Sequence, residues 1–222
     1  MSEIHTVKQG EYLSGIALDF GFLDWHTIYN DPNNADLWKK RDSHEVLLPG
    51  DEVFIPDKQD RQETCGTERR HEFELYQPKN WLNIVLKDAV GNAIANQPYT
   101  LTVGEQELKD TTDDTGLVQQ EIPIGVTSGC LTLDNLGLSW DLGIGYLDPF
   151  REKDTNDPIV SGIQARLNNL GFPCGEVDGI MTTETRRAIR MYQIARMGLD
   201  PSKASGEPDE DTRNALFAEH GC

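Results

Sequence analysis

The alternation of apolar and polar positions divides the chain into three stretches with different periods. In the first, His5-Thr6-Val7 reads as a short strand and Gly10 interrupts it. Leu13, Ile16, Ala17 and Phe20 then recur at helical spacing, giving one apolar face that Gly21 ends. Asp24 is placed to cap a second short helix carrying Trp25, Ile28 and Tyr29 on one side. Asp31-Pro32 stops that helix, because proline disfavours helical geometry in the residue before it. Leu47-Leu48-Pro49-Gly50-Asp51 is a turn, and Glu52-Val53-Phe54-Ile55-Pro56 is a closing strand suited to pair with the first.

Residues 59–72 are polar and without period, as a linker is. From about Phe73 the pattern shortens to β-type runs: Trp81 to Leu86, Tyr99 to Val103, Gly116-Leu117-Val118 with Glu121-Ile122-Pro123, and Cys130 to Leu133. Asp- and Gly-containing turns separate them, and this spacing predicts a small antiparallel β-sandwich. A helical period returns near the C-terminus. Asp157-Pro158 opens a helix carrying Ile159, Ile163, Leu167 and Leu170 that Gly171 ends. Thr185, Ala188, Ile189, Tyr192 and Ala195 mark a second helix, and Asp209 caps a third with Thr212 and Leu216. The predicted fold class is therefore multi-domain α+β, divided as 1–58, a linker at 59–72, a β-sandwich at 73–150 and a three-helix domain at 151–222.

Composition narrows the partners. Thirty-eight acidic against 20 basic residues give a formal charge of −18, and no Lys/Arg cluster supplies the footprint that phosphate backbones require, so nucleic acid is excluded as a partner. No run approaches the roughly 20 apolar residues of a membrane span, and Met1-Ser2-Glu3-Ile4-His5 lacks the character of a signal peptide. The expectation is a protein made in the cytoplasm without a signal peptide and not inserted in a membrane. It acts at the cell wall or periplasm, or is exported by a secretion machine. Cys65, Cys130, Cys174 and Cys222 are too scattered for a disulfide framework or a zinc site. Cys174 and Cys222 share the C-terminal stretch and are open to two readings, a disulfide or buried thiols.

Four resemblances follow from these residues. His5-Thr6-Val7-x-x-Gly10-Glu11-Tyr12-Leu13-x-x-Ile16-Ala17, then Ile28-Tyr29-Asn30, then Leu48-Pro49-Gly50-x-x-Val53-x-Ile55-Pro56 resembles the LysM family. That resemblance implies a βααβ module binding N-acetylglucosamine-containing glycan between two loops, here Gly10, Glu11, Tyr12 and Leu13 on one side and Asn30, Asp31, Pro32 and Asn33 on the other. Glu11 and Tyr12 replace the Asp and small hydroxyl residue common in the family, and residues 34–44 form a charged insertion. The middle stretch is similar to transthyretin-like and other immunoglobulin-like accessory modules, which says little about activity. Trp81 and Trp140 within it suit a core position or, less commonly, a surface platform for sugar.

The C-terminal set Gln164-x-Arg166-Leu167-x-x-Leu170-Gly171-Phe172, Gly175-x-Val177-Asp178-Gly179-Ile180, Thr185-x-x-Ala188-Ile189-x-x-Tyr192-Gln193 and Ser205-Gly206-Glu207-x-Asp209-x-x-Thr212 resembles the three-helix peptidoglycan-binding domain appended to wall hydrolases. It makes Asp178, Gly179 and Tyr192 candidate glycan contacts.

An enzyme needs a nucleophile with its base, a placed carboxylate pair or a metal set. The five histidines are dispersed and no such motif stands out. The expectation is a non-catalytic protein, without cofactor or metal, that tethers to peptidoglycan through its two end modules. Two weak sites on a repetitive polymer gain through effective concentration. The alternative is structural. Leu47-x-Pro49-Gly50-Asp51-x-Val53-Phe54-Ile55-Pro56 and the segment from Trp140 to Pro149 resemble proteins associated with type VI secretion or phage-tail-like contractile injection machines, where a LysM unit docks to spike or baseplate proteins.

Overall fold

The computed structural model describes residues 2–59, 64–72 and 78–221. Phe73, where the middle domain was expected to begin, part of the predicted linker, and Cys222 lie outside the described residues. At the coarse level the expectation holds: the chain mixes helices with antiparallel sheets, and its C-terminal region is helical. It divides into two compact units. Unit 1 comprises Met1–His5, Leu13–Asn34 and Glu52–Ile144, and unit 2 comprises Thr6–Tyr12, Ala35–Asp51 and Gly145–Cys222.

In unit 1, β1 (Glu3–Thr6) pairs with β2 (Glu52–Ile55). Helix α1 (Leu13–Asp19) buries Leu13, Ile16 and Ala17, the face read from the sequence. Its end is chemically defined. Gly21 N–H donates to Leu18 O at 2.8 Å and Phe22 N–H to Ala17 O at 2.7 Å, with Gly21 at φ 74°. A side chain there would be strained. Helix α2 (His26–Tyr29) starts one residue later than expected, with Trp25 and not Asp24 at its N-cap, and the Asp24 carboxylate accepts from His26 N–H at 2.9 Å from just before it. That contact, with the His26 ring nitrogen 2.6 Å away, holds the carboxyl pKa below its ordinary value.

After α2 the sequence reading stops short. Asn34, taken as the first residue of a charged insertion, is buried. Its Nδ2 donates to Ile28 O and Phe54 O, both at 2.8 Å, and its Oδ1 accepts from Phe54 N–H at 2.7 Å. One amide thus satisfies backbone groups of α2 and β2 that would otherwise be buried unpaired.

The remaining strands of unit 1 are β3 (Lys79–Val85), β4 (Pro98–Val103), β5 (Gln106–Thr111), β6 (Leu117–Pro123), β7 (Ser128–Leu133) and β8 (Leu138–Gly143). They form a β3–β6 ladder and a four-stranded sheet ordered β5-β4-β7-β8, with antiparallel pairing in both. Leu101, Val103, Val118, Ile122, Leu131 and Leu133 form their shared core, each at most 2% exposed. Four of the six strands were legible. The edge strands β5 and β8 were not: β5 carries a single apolar residue, Leu108, and only Leu142 of β8 is even partly buried.

Unit 2 contains α3 (Ala35–Lys40), α4 (Val160–Asn169), α5 (Thr183–Ala195) and α6 (Glu210–His220). Helix α3 lies inside the expected insertion and was not foreseen; Leu37 is its one buried residue. The three C-terminal helices were. Thr182 Oγ1 accepts from Thr185 N–H at 3.1 Å and Asp209 Oδ1 from Thr212 N–H at 2.9 Å, each capping its helix. Helix α4 begins two residues after Pro158, which bridges to Arg151 instead of entering the helix. It ends as α1 does: Gly171 N–H donates to Asn168 O and Phe172 N–H to Leu167 O. Phe150, Ile163, Leu167, Ala188, Ile189 and Leu216 form the core of this unit. No helix among the described residues is long and apolar enough to cross a membrane.

Candidate functional site

The loop between α4 and α5 is built by one side chain. Gln164, buried on α4, places its Nε2 within 2.9 Å of Asp178 Oδ1, 3.2 Å of Ile180 O and 3.1 Å of Thr185 Oγ1. Its Oε1 accepts from the backbone N–H groups of Asp178, at 3.2 Å, and Gly179, at 2.9 Å. The Asp178 carboxylate also accepts from Ile180 N–H at 2.8 Å. The Gln164 amide, then the Ile180 N–H, hold the Asp178 pKa below its ordinary value. With the inward polar groups satisfied, the loop turns Val177 (47% exposed) and Ile180 (61% exposed) to solvent on either side of Asp178 and Gly179.

The same device recurs between α5 and α6. Gln193, fully buried, lies with Nε2 2.9 Å from Thr212 Oγ1, 3.1 Å from Glu207 O and 3.3 Å from Ser205 Oγ, while its Oε1 accepts from Gly206 N–H at 2.9 Å. The two halves also share sequence: Thr185-Arg186-x-Ala188-Ile189 answers Thr212-Arg213-x-Ala215-Leu216. The motif reading contained both glutamines without giving them a role. The signal was available, since each is a polar residue beside the apolar stripe of its helix.

The structure separates the three C-terminal candidates. Asp178 and Gly179 stand on the exposed loop, whereas Tyr192 is 1% exposed and packs edge-on to Phe172, with ring centroids 5.4 Å apart. Burial first, and Glu219 beside it, push the Tyr192 phenol pKa upward. Tyr192 is placed as a core residue. Cys174 is a buried free thiol whose Sγ lies 3.4 Å from Gln164 O, and burial raises its pKa. Its suggested partner Cys222 lies outside the described residues.

The N-terminal candidates fall in different units: Gly10, Glu11 and Tyr12 in unit 2, and Leu13 with Asn30, Asp31, Pro32 and Asn33 in unit 1. In unit 1, Leu13 is fully buried in α1. The Asp31 carboxylate accepts from both the backbone N–H and the side-chain amide of Asn33, each at 2.9 Å, setting the turn that Pro32 begins. In unit 2, Tyr12 is 6% exposed, Lys8 N–H donates to Glu11 Oε2 at 2.8 Å, and Gly10 is closely packed. A Cβ on Gly10 would lie 3.0 Å from the Tyr146 ring, and one on Gly145 would lie 2.6 Å from Gly10 O. Gln9 Nε2 donates to Asp148 Oδ1 at 3.2 Å beside them. A segment of the same unit thus seats on the first loop, which sequence reasoning did not foresee.

The comparison with curated proteins gives no match, and neither does the comparison with solved structures. Residues 156–216, which hold all three C-terminal helices but the last residues of α6, match the family described as "Putative peptidoglycan binding domain".

Proposed function

We propose that the protein is a non-catalytic peptidoglycan-binding protein that engages wall glycan through the α4–α5 loop of its C-terminal helices, with its LysM-like N-terminal module as a second point of attachment. One observation carries the reading: within the matched segment, the buried Gln164 amide holds a loop that displays Val177, Asp178, Gly179 and Ile180 together. An N-acetyl sugar needs small apolar contacts for its methyl group and ring, and polar partners for its amide and hydroxyls. The loop offers both, preformed. The test is co-sedimentation of the full chain with purified peptidoglycan sacculi. Val177→Asp with Ile180→Asp should weaken binding by roughly tenfold, and melting curves should remain close to those of the unmodified chain because both residues are exposed. Release of soluble fragments from the sacculi would overturn the non-catalytic part of the reading.

A second reading is favoured by the seat of Tyr146 on Gly10. The first loop of the LysM-like module takes a protein side chain where the family resemblance implies sugar. That supports a structural or adaptor role in which the module packs against protein, as in docking to spike or baseplate proteins of a type VI or phage-tail-like injection machine. Retained capture of such a protein by the full chain, with no sacculus binding, selects this reading over the first.

A further inference from the structure

The outward face of the β3–β6 ladder is accounted for neither by the core nor by the loops described above. Alternation along β3 sends Leu82 and Ile84 to the core and turns Trp81 and Val85 outward, 59% and 51% exposed. The inward residues already supply the packing of this ladder, so folding does not call for an indole outside it. A single exposed apolar residue needs no explanation, but here three features coincide.

Asn83 stands between Trp81 and Val85 on the same face, opposite Gln119 in register, and Gln119 Nε2 donates to Asn83 Oδ1 at 2.9 Å. That bond orients both amides. It leaves the Asn83 NH2 group and the Gln119 carbonyl oxygen, a donor beside an acceptor, without a partner among the described residues. The charge on the face is also balanced. Lys79 pairs with Glu121 at 3.2 Å, and the other residues named are neutral, in a chain whose formal charge is −18. A flat apolar ring, an oriented amide pair and local neutrality complement one chemistry: an uncharged sugar chain, which has apolar ring faces and alternating donors and acceptors but no charge to pair. A polyanion is opposed by the rest of the molecule, and a cation finds no excess carboxylate on this face.

We propose that this face is a carbohydrate-binding platform for an uncharged, N-acetylated glycan strand. Trp81 stacks on a pyranose ring, the Asn83–Gln119 pair exchanges hydrogen bonds with an acetamido group or neighbouring hydroxyls, and Val85 contacts the next ring. Trp81 and Val85 lie about 13 Å apart along the strand, room for more than one sugar ring. The platform lies in unit 1 and uses residues outside the matched segment, so it stands or falls separately from the wall-binding reading.

The experiment is a titration of the full chain with a soluble N-acetylglucosamine tetramer, followed through the tryptophan indole N–H resonances, with the affinity of each variant measured by calorimetry. The Trp81 resonance is identified by its loss in Trp81→Ala. The expected result is a saturable shift of that resonance, an affinity reduced roughly tenfold in Trp81→Ala, a similar loss in Asn83→Ala with Gln119→Ala, and retention of most binding in Trp81→Phe. No saturable shift of the Trp81 resonance, or unchanged affinity in Trp81→Ala, overturns the proposal. The two readings fail apart: sacculus binding with no Trp81 shift overturns the platform alone, and a Trp81 shift without sacculus binding overturns the wall reading alone.

Discussion

His220 shows how a titration is written into the end of α6. Its Nε2 lies 3.1 Å from the Asn169 side-chain amide nitrogen, which can only donate, and its Nδ1 lies 3.0 Å from Gly221 O, which can only accept. The neutral tautomer with its proton on Nδ1 satisfies both contacts, and a second proton on Nε2 would oppose the Asn169 donor. Burial, aided by the charge of Arg166, holds the His220 pKa below its ordinary value of 6.5. The unfolded chain therefore takes up this proton more readily than the folded one. The stability contributed is present above pH 6.5 and is lost as pH falls from there toward the depressed folded value. Thermal melting between about pH 7.5 and 5.5 should show a declining midpoint that His220→Gln flattens; an identical slope in both proteins would refute it. Residue roles of this kind are poorly legible in sequence. Gln164, Gln193 and Asn34 satisfy backbone groups that only the folded chain brings to them, while Leu13, Ile16 and Ile189 announce themselves by spacing alone.

Among elements, legibility followed the amount of apolar face each buries. Helices α1, α4 and α5 repeat apolar residues over whole turns, so their presence could be read, and α1 and α4 end at the glycines expected, although α4 begins after its expected Asp157-Pro158 entry. Strand β5 and helix α3 are mostly polar, and β8, though Leu138, Trp140 and Leu142 alternate along it, buries little of that face, so none of the three was read. Close approach leaves a different signature, visible at Gly162 on α4. A Cβ there would come within 2.0 Å of Pro149 O and 2.7 Å of Asp148 O, both backbone atoms that cannot swing aside. Asp148 O is also the acceptor for the buried Arg166 guanidinium at 2.8 Å, whose other acceptor on the same nitrogen is Gly162 O. Alanine favours helix over glycine by about 1 kcal/mol in an open position, yet here the clash reverses the sign. Gly162→Ala should destabilise the unit by about 1–3 kcal/mol, read as a lower denaturant midpoint. A more stable variant would show that the segment before α4 can retreat.

For the molecule as a whole, the division of the chain into discontinuous units changes what a fragment is. Residues 35–51 belong to unit 2 with residues 145–222, and a buried cation is the centre of that association. Arg41, 4% exposed, donates from Nε and Nη2 to the two oxygens of Asp51 at 2.7 and 2.6 Å, and from Nη1 to Glu152 at 2.7 Å. Burial opposes the charge, and the bonds that Arg41 donates to Asp51 and Glu152 outweigh it, leaving the Arg41 pKa above its ordinary value. Lys153 N–H donates to Lys40 O at 2.8 Å, and Arg151 reaches Asp42 at 2.9 Å alongside. None of this was legible, because a charged run such as Trp38-Lys39-Lys40-Arg41-Asp42 has the pattern of a solvated surface. Removing the cation leaves Asp51, 8% exposed, without its countercharge, and breaking such a buried pair costs about 3 kcal/mol. In the full chain, Arg41→Ala should therefore raise amide hydrogen exchange across α4 and α6. The isolated 151–222 fragment, which lacks Arg41 and Asp51 together, should exchange faster at the same amides than the intact chain does. Equal protection in fragment and full chain would mean that the helical core holds itself without residues 35–51, and that the Arg41 network fixes only the segment packed on it.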